Sequence, residues 1–202
     1  MDQIETYVDS AGVTRVRHKE IVLPIRVGTV SWHMGKKASD FATHRWTVYL
    51  RHADNEDCSH IIKQVTFQLH ASFANSKRDV FSPPYEVSET GWGEFTIQTQ
   101  VFFVDEAKCA PVEITHGLKL YGDDPNNPKK AVASETHEEI VIVEPSEALW
   151  QRVQAVVEQG GAPKVPATEV LEYVQPAGAD EELADIMRAR QKVALWMARM
   201  QA

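Results

Sequence analysis

Apolar and polar positions alternate along much of the chain in runs too short to be helices. Val65-Thr66-Phe67-Gln68-Leu69 reads in-out-in-out-in, and Phe95-Thr96-Ile97-Gln98-Thr99-Gln100-Val101 repeats the pattern further on. Further apolar runs occupy residues 21–30, 46–50, 112–120 and 140–143, with Gly or Pro between many of them and no helical period intervening. About seven or eight such segments in sequence predict an all-β fold, an immunoglobulin-like antiparallel β-sandwich over residues 19–145. Residues 55–59 and 123–128 read as loops, and Pro83-Pro84 forces an extended stretch ahead of Tyr85.

The flanks read differently. Residues 1–18 are polar and weakly patterned, an N-terminal arm. A helix is predicted over 146–159, opened by Pro145-Ser146-Glu147 and carrying Leu149, Trp150, Val153, Val156 and Val157 on one stripe. Residues 160–179, rich in Gly, Ala and Pro, read as a linker. Over 180–202, Leu183, Ile186, Arg190, Val193, Met197 and Met200 recur at steps of three and four, the seam of a coiled-coil helix that needs a partner. Arg190 interrupts the apolar series and favours a partner with a matching acid over a second copy.

Two tips of the sandwich carry candidate chemistry. The run ending at Leu69 breaks into His70, Ser72 and Phe73, and Gly91-Trp92-Gly93 sets an aromatic between two residues that tolerate unusual backbone angles. Two aromatics beside a hydroxyl and free N–H groups suit a flat, neutral, amide-bearing ligand. The same residues could instead be core aromatics closing one end of the sandwich, and the residues alone leave both readings open.

Composition narrows the class. With 202 residues and 43% hydrophobic content the chain can bury one substantial core. The N-terminus has no signal-peptide pattern and no run approaches a membrane span, so the protein is expected to stay inside the cell without membrane association. Cys58 and Cys109 lie in unlike contexts and are expected to be reduced. The net charge of −8 is distributed as +3 over residues 1–52, −5 over 53–133 and −6 over 134–202. That balance disfavours nucleic acid as the main ligand and is compatible with a basic peptide. The eight histidines form no ligand motif, there is no nucleophile elbow or phosphate loop, and no metal, cofactor or catalytic residue is expected.

The ordered series of motifs resembles one family. Leu69-His70-Ala71-Ser72-Phe73, the stretch from Ser82 through Gly91-Trp92-Gly93-Glu94-Phe95, Gly35-Lys36-Lys37 and Thr43-His44-Arg45-Trp46-Thr47-Val48-Tyr49 are similar to the YEATS domain, whose members read acylated lysine on histone tails. The resemblance runs from Lys19 to about Pro145, and the Gly-Trp-Gly-Glu-Phe form resembles the branch found in chromatin-remodelling and histone-acetyltransferase complexes. It implies that Phe73 and Trp92 sandwich the acyl group, that Ser72 bonds the amide N–H, and that the Trp92 backbone N–H bonds the acyl carbonyl. It adds His70, Gly91, Gly93 and Phe95 as further acyl-lysine-binding positions, with Phe41, Ala42, His44 and Glu94 as a possible rim. Many relatives have an aromatic or His where this chain has Ala42, so that wall is smaller or supplied by Phe41. The acid that some relatives use to hold a flanking arginine matches Thr115 or Gly117 here.

The implied function is a nuclear, non-enzymatic reader of acetylated or crotonylated lysine on a core-histone tail. It would bind subunits of a chromatin-modifying complex through the C-terminal helix. The alternative is a scaffold subunit acting mainly through that helix, without acyl-lysine binding; a metal-dependent enzyme would instead require bound metal.

Overall fold

The computed structural model describes residues 4–122 and 130–174. A short hairpin comes first, β1 (Thr6–Val8) and β2 (Thr14–Val16), followed by β3 (Glu20–His33), β4 (His44–His52), β5 (Ile62–Gln68), β6 (Lys77–Val80), β7 (Tyr85–Gly91), β8 (Thr96–Phe103), β9 (Val112–Gly117) and β10 (Val132–Val143). One helix, α1 (Glu147–Glu158), follows. Two four-stranded sheets, ordered β10-β3-β4-β7 and β6-β5-β8-β9, are antiparallel throughout. This is the immunoglobulin-like sandwich that the alternation predicts.

Strand periodicity builds the core directly. Successive side chains point to opposite faces, so Leu23, Ile25 and Val27 of β3 and Trp46, Val48 and Leu50 of β4 face Val65 and Phe67 of β5 and Ile97 and Val101 of β8. On the outer face of the first sheet, Tyr49 lies across Gly28. A Cβ at Gly28 would stand 2.3 Å from the Tyr49 hydroxyl and 2.7 Å from the Ser134 carbonyl oxygen. Beside it, Glu135 of β10 accepts from Arg26 Nη1 at 2.8 Å and from Arg51 Nη2 at 2.7 Å, tying β10, β3 and β4 by a largely buried ionic triad.

The flanks hold more structure than their composition suggests. The arm folds as the β1–β2 hairpin, its turn organised by Asp9, whose carboxylate accepts from the Ala11 and Val13 N–H groups and from Arg15. The Arg15 hydrogen bond, helped by these backbone donors, holds the Asp9 carboxyl below its usual range. Strands β6 and β7, and the first eight residues of β10, have no counterpart among the apolar runs. Ser146 caps α1 by accepting from the Leu149 N–H at 3.1 Å.

Residues 163–174, linker-like in composition, lie as a strap on the outer face of β3, β4 and β7. The strap starts where Asn55 Nδ2 donates to the Val165 carbonyl and continues past Thr168, whose hydroxyl donates to Glu86. Val170 and Val174 then bury against Val30 and Tyr49, and the strap ends with Tyr173 edge-on to Trp32. It thus crosses the sheet lengthwise, from the loop after β4 to the C-terminal end of β3. Residues 175–179 and the seam at 180–202 lie outside the described residues, as does the 123–128 loop.

Candidate binding cleft

At one end of the sandwich, β5 and β7 release two neighbouring loops, and an open cleft of about 460 Å³ lies between them. In the first loop, Leu69 N–H donates to the Ser76 carbonyl and Phe73 N–H to the His70 carbonyl, folding residues 70–76 into a compact turn. Within it His70 Nδ1 accepts the Ser72 N–H at 3.2 Å and stands 2.8 Å from Ser72 Oγ. A ring nitrogen that accepts an N–H carries no proton, so the hydroxyl hydrogen of Ser72 also goes to it. The lone pairs of Ser72 Oγ are left to accept a donor in the cleft.

The aromatic residues divide by depth. Trp46, fully buried, forms the floor; Phe73 and Phe95 meet it edge-to-face, each at 5.8 Å between centroids, and tilt against one another at 5.7 Å. His70 leans on Phe95 at 6.0 Å. Trp92, by contrast, is 62% exposed and lines the cleft without joining the core. The core-closing role therefore fits Phe73 and Phe95 in part, and does not fit Trp92. The Trp92 backbone N–H has no acceptor among the described residues.

Neither Gly91 nor Gly93 has a positive φ, so the unusual backbone angles that the glycine pair suggested are not used here. A Cβ at Gly91 would stand 3.4 Å from Trp46 Nε1 and 3.7 Å from Phe73 Cζ, ordinary van der Waals contact, and Gly93 has open space around it. Glu94 stitches the cleft to the chain beyond β9: its carboxylate accepts from the Leu120 and Tyr121 N–H groups, and the Tyr121 hydroxyl donates to the Trp92 carbonyl.

Of the residues singled out from sequence, His70, Ser72, Phe73, Gly91, Trp92, Gly93, Glu94, Phe95 and Phe41 come together as the cleft lining, joined by Thr90. Phe41 projects from the β3–β4 loop at 83% exposure. Ala42 and His44 are not among the lining residues. Ala42 exchanges backbone hydrogen bonds with Ser39, and His44 is buried edge-on between His33 and Tyr121 at 5.1 Å from each. Burial, then the neighbouring His33, pushes the His44 pKa down, so the ring is neutral at physiological pH. Thr43 links this loop to the opposite wall, its N–H and hydroxyl both donating to the Gly91 carbonyl. Thr90 and the floor residue Trp46 were not predicted as site residues: Trp46 sits in a regular apolar run, and only the meeting of β4 with two distant loops gives it this place. Among the described residues no group of three or more His, Cys, Asp or Glu side chains is placed to hold a metal ion. An aromatic-walled cleft with one acceptor at Ser72 and, among the described residues, one free backbone donor can take a planar amide, accepting from its N–H and donating to its carbonyl.

Comparison with known proteins gives this geometry a lineage. Residues 41–122 match the YEATS family. Transcription initiation factor TFIID subunit 14b of Arabidopsis thaliana is 45% identical over 143 residues, 69% of this chain and 53% of that protein. The Protein AF-9 homolog of Eremothecium gossypii is 36% identical over 159 residues, 75% of each chain. The chain spans about half the length of the first two curated relatives it matches. Among solved structures, the Yaf9 YEATS domain bound to H3K27ac superposes with a TM-score of 0.61 at 36% identity, covering 70% of this chain and 98% of that one. The Yaf9 YEATS domain recognizing an H3K122suc peptide superposes at 0.58, with 33% identity, covering 77% and 99%. Family match, identity over most of several relatives and a shared sandwich agree, and the chain belongs to the YEATS family.

Proposed function

We propose that this protein is a histone reader that binds acetylated or crotonylated lysine in the cleft between Phe73 and Trp92. It would act as a non-enzymatic subunit of a nucleosome-remodelling or histone-acetyltransferase complex in the nucleus. The observation that carries this reading is the pairing of Ser72, whose hydroxyl stands 2.8 Å from His70 Nδ1, with an exposed Trp92 whose N–H has no acceptor among the described residues. The relative Yaf9, bound to H3K27ac, supports the ligand class.

The chemistry discriminates on charge. A free lysine ammonium would lose its hydration between two rings, whereas acylation removes the charge and supplies an amide that stacks and hydrogen-bonds. Burying ~100 Å² of acyl and methylene surface contributes ~2.5 kcal/mol, and two hydrogen bonds add about 1 kcal/mol each before ordering costs. Such binding is weak alone and gains from other contacts made by the same assembly, the role assigned to residues 180–202. Titrating acetylated, crotonylated and unmodified histone-tail peptides into the protein tests the proposal. Saturable binding of the acylated peptides only is expected; equal binding of unmodified lysine refutes it.

A further inference from the structure

The strap does more than cover the sheet. Its last residues grip one cross-strand pair, Trp32 and Arg45, which sit opposite each other in the β3–β4 register. Arg45 donates two hydrogen bonds to the Glu169 carboxylate, at 2.8 and 2.6 Å, while its guanidinium lies 4.1 Å above the Trp32 ring. Tyr173 meets the same ring edge-on at 5.4 Å. A bidentate ion pair on an aromatic shelf fixes orientation better than a single surface ion pair does.

That cross-strand pair is the stem of the loop over residues 34–43. Met34 N–H donates to the Thr43 carbonyl at the loop's base, and Ser39 and Ala42 exchange hydrogen bonds near its tip. Between them the loop carries Phe41, a wall of the cleft, and Thr43, which holds the Gly91 carbonyl on the opposite wall. We infer that Glu169 and Tyr173 are positioning residues for the reading cleft: by splinting the Trp32–Arg45 stem they fix the loop that presents Phe41. This rests on the acyl-lysine reading of the cleft. It makes the segment after α1 part of the reader, with its effect exerted on the β3–β4 loop from the back of the sheet.

The test uses the full chain with Glu169→Ala and Tyr173→Ala combined, compared with wild type and with Tyr173→Phe, which keeps the ring contact. Amide hydrogen exchange of the ligand-free protein is measured alongside acetyl-lysine peptide affinity. Exchange over residues 34–43 is expected to quicken in the double variant while β5 and β8 stay protected. Affinity is expected to fall about threefold, the scale of one aromatic edge contact. Tyr173→Phe should behave as wild type. In a Phe41→Ala background the strap substitutions should weaken binding no further, since their effect passes through that ring. Faster exchange confined to the strap, or a quickened loop with unchanged affinity, overturns the inference. Failure of the wild-type protein to bind any acylated peptide would instead sink the reader function, and the exchange of residues 34–43 would still judge the splint.

Discussion

Trp92→Ala separates a ligand-covering ring from a core ring by measuring two quantities at once. With 62% of its surface in water, Trp92 offers roughly 150 Å² to a ligand, taking about 250 Å² for the whole side chain. If an acyl chain covers half of that and matches it with its own area, about 150 Å² leaves water, a gross contribution of about 4 kcal/mol. Losing some two thirds of it weakens the dissociation constant about 30- to 100-fold. The surface already buried, roughly 95 Å², sets a ceiling of about 2 kcal/mol on the stability cost, which compaction of the unfolded chain lowers further. The melting temperature should therefore fall by no more than about 4 to 8 °C for a domain of this size. Calorimetric titration with an acetyl-lysine peptide, beside a thermal melt, reads both. A drop beyond about 10 °C, in the range expected for emptying a core aromatic site, would show Trp92 to be structural. Unchanged affinity with an intact fold would refute the sandwich outright.

Ser72→Ala should leave the melt unchanged, because the hydroxyl is exposed, and weaken acyl-peptide binding by about 1 to 2 kcal/mol in the same titration; unaltered affinity removes Ser72 from the site. A crotonyl peptide should bind at least as well as its acetyl twin, since a conjugated chain can stack on the rings and Gly93 has open space around it; tenfold weaker crotonyl binding contradicts this. Gly28→Ala drives a methyl into both the Tyr49 hydroxyl and the Ser134 backbone, and should destabilise the fold by about 2 kcal/mol or more in denaturant melts. A stable Gly28→Ala protein would mean that Tyr49 can leave the sheet face at little cost. Deleting residues 175–202 should abolish partner capture and any self-association seen by light scattering while sparing acyl-peptide affinity; identical mass and partners before and after deletion remove the assembly role.

The strands legible in the sequence are those whose inward positions are mostly apolar. Val65, Phe67, Ile97 and Val101 alternate with polar residues because one face meets the core and the other meets water. The strands that hid break that rule for identifiable reasons. The first part of β10 presents Glu135 to Arg26 and Arg51, and Thr136 to His116, so ionic and hydrogen-bonding partners replace apolar ones. In β6, a charged edge strand, Arg78 pairs with Glu89 of β7, and neither strand shows a simple apolar stripe. The strap reads as a linker because Gly160-Gly161, Pro163 and Pro166 open it, yet Val170, Val174 and Tyr173, with the Arg45–Glu169 pair, dock it on a sheet that already exists. For the cleft, the loop residues are found through the family motif, whereas Thr90 lies in the same stretch but carries no feature that marks it as a lining residue. The glycine pair suggests unusual angles, yet neither residue adopts a positive φ.

The course of the strap also decides at which end of the sandwich residue 174 stands. Entering beside Asn55 and leaving past Trp32, it carries residue 174 to the same end of the sandwich as the loops that form the cleft. Had the chain departed at the far end, any tether to a larger assembly would first have to travel back along β4, nine residues or about 30 Å. Effective concentration falls roughly as the three-halves power of tether length once the gap is spanned, so that detour would dilute the peptide seen by the cleft. On the proposed reading, whatever is held beyond residue 174 would start at the same end of the sandwich as a peptide bound in the cleft.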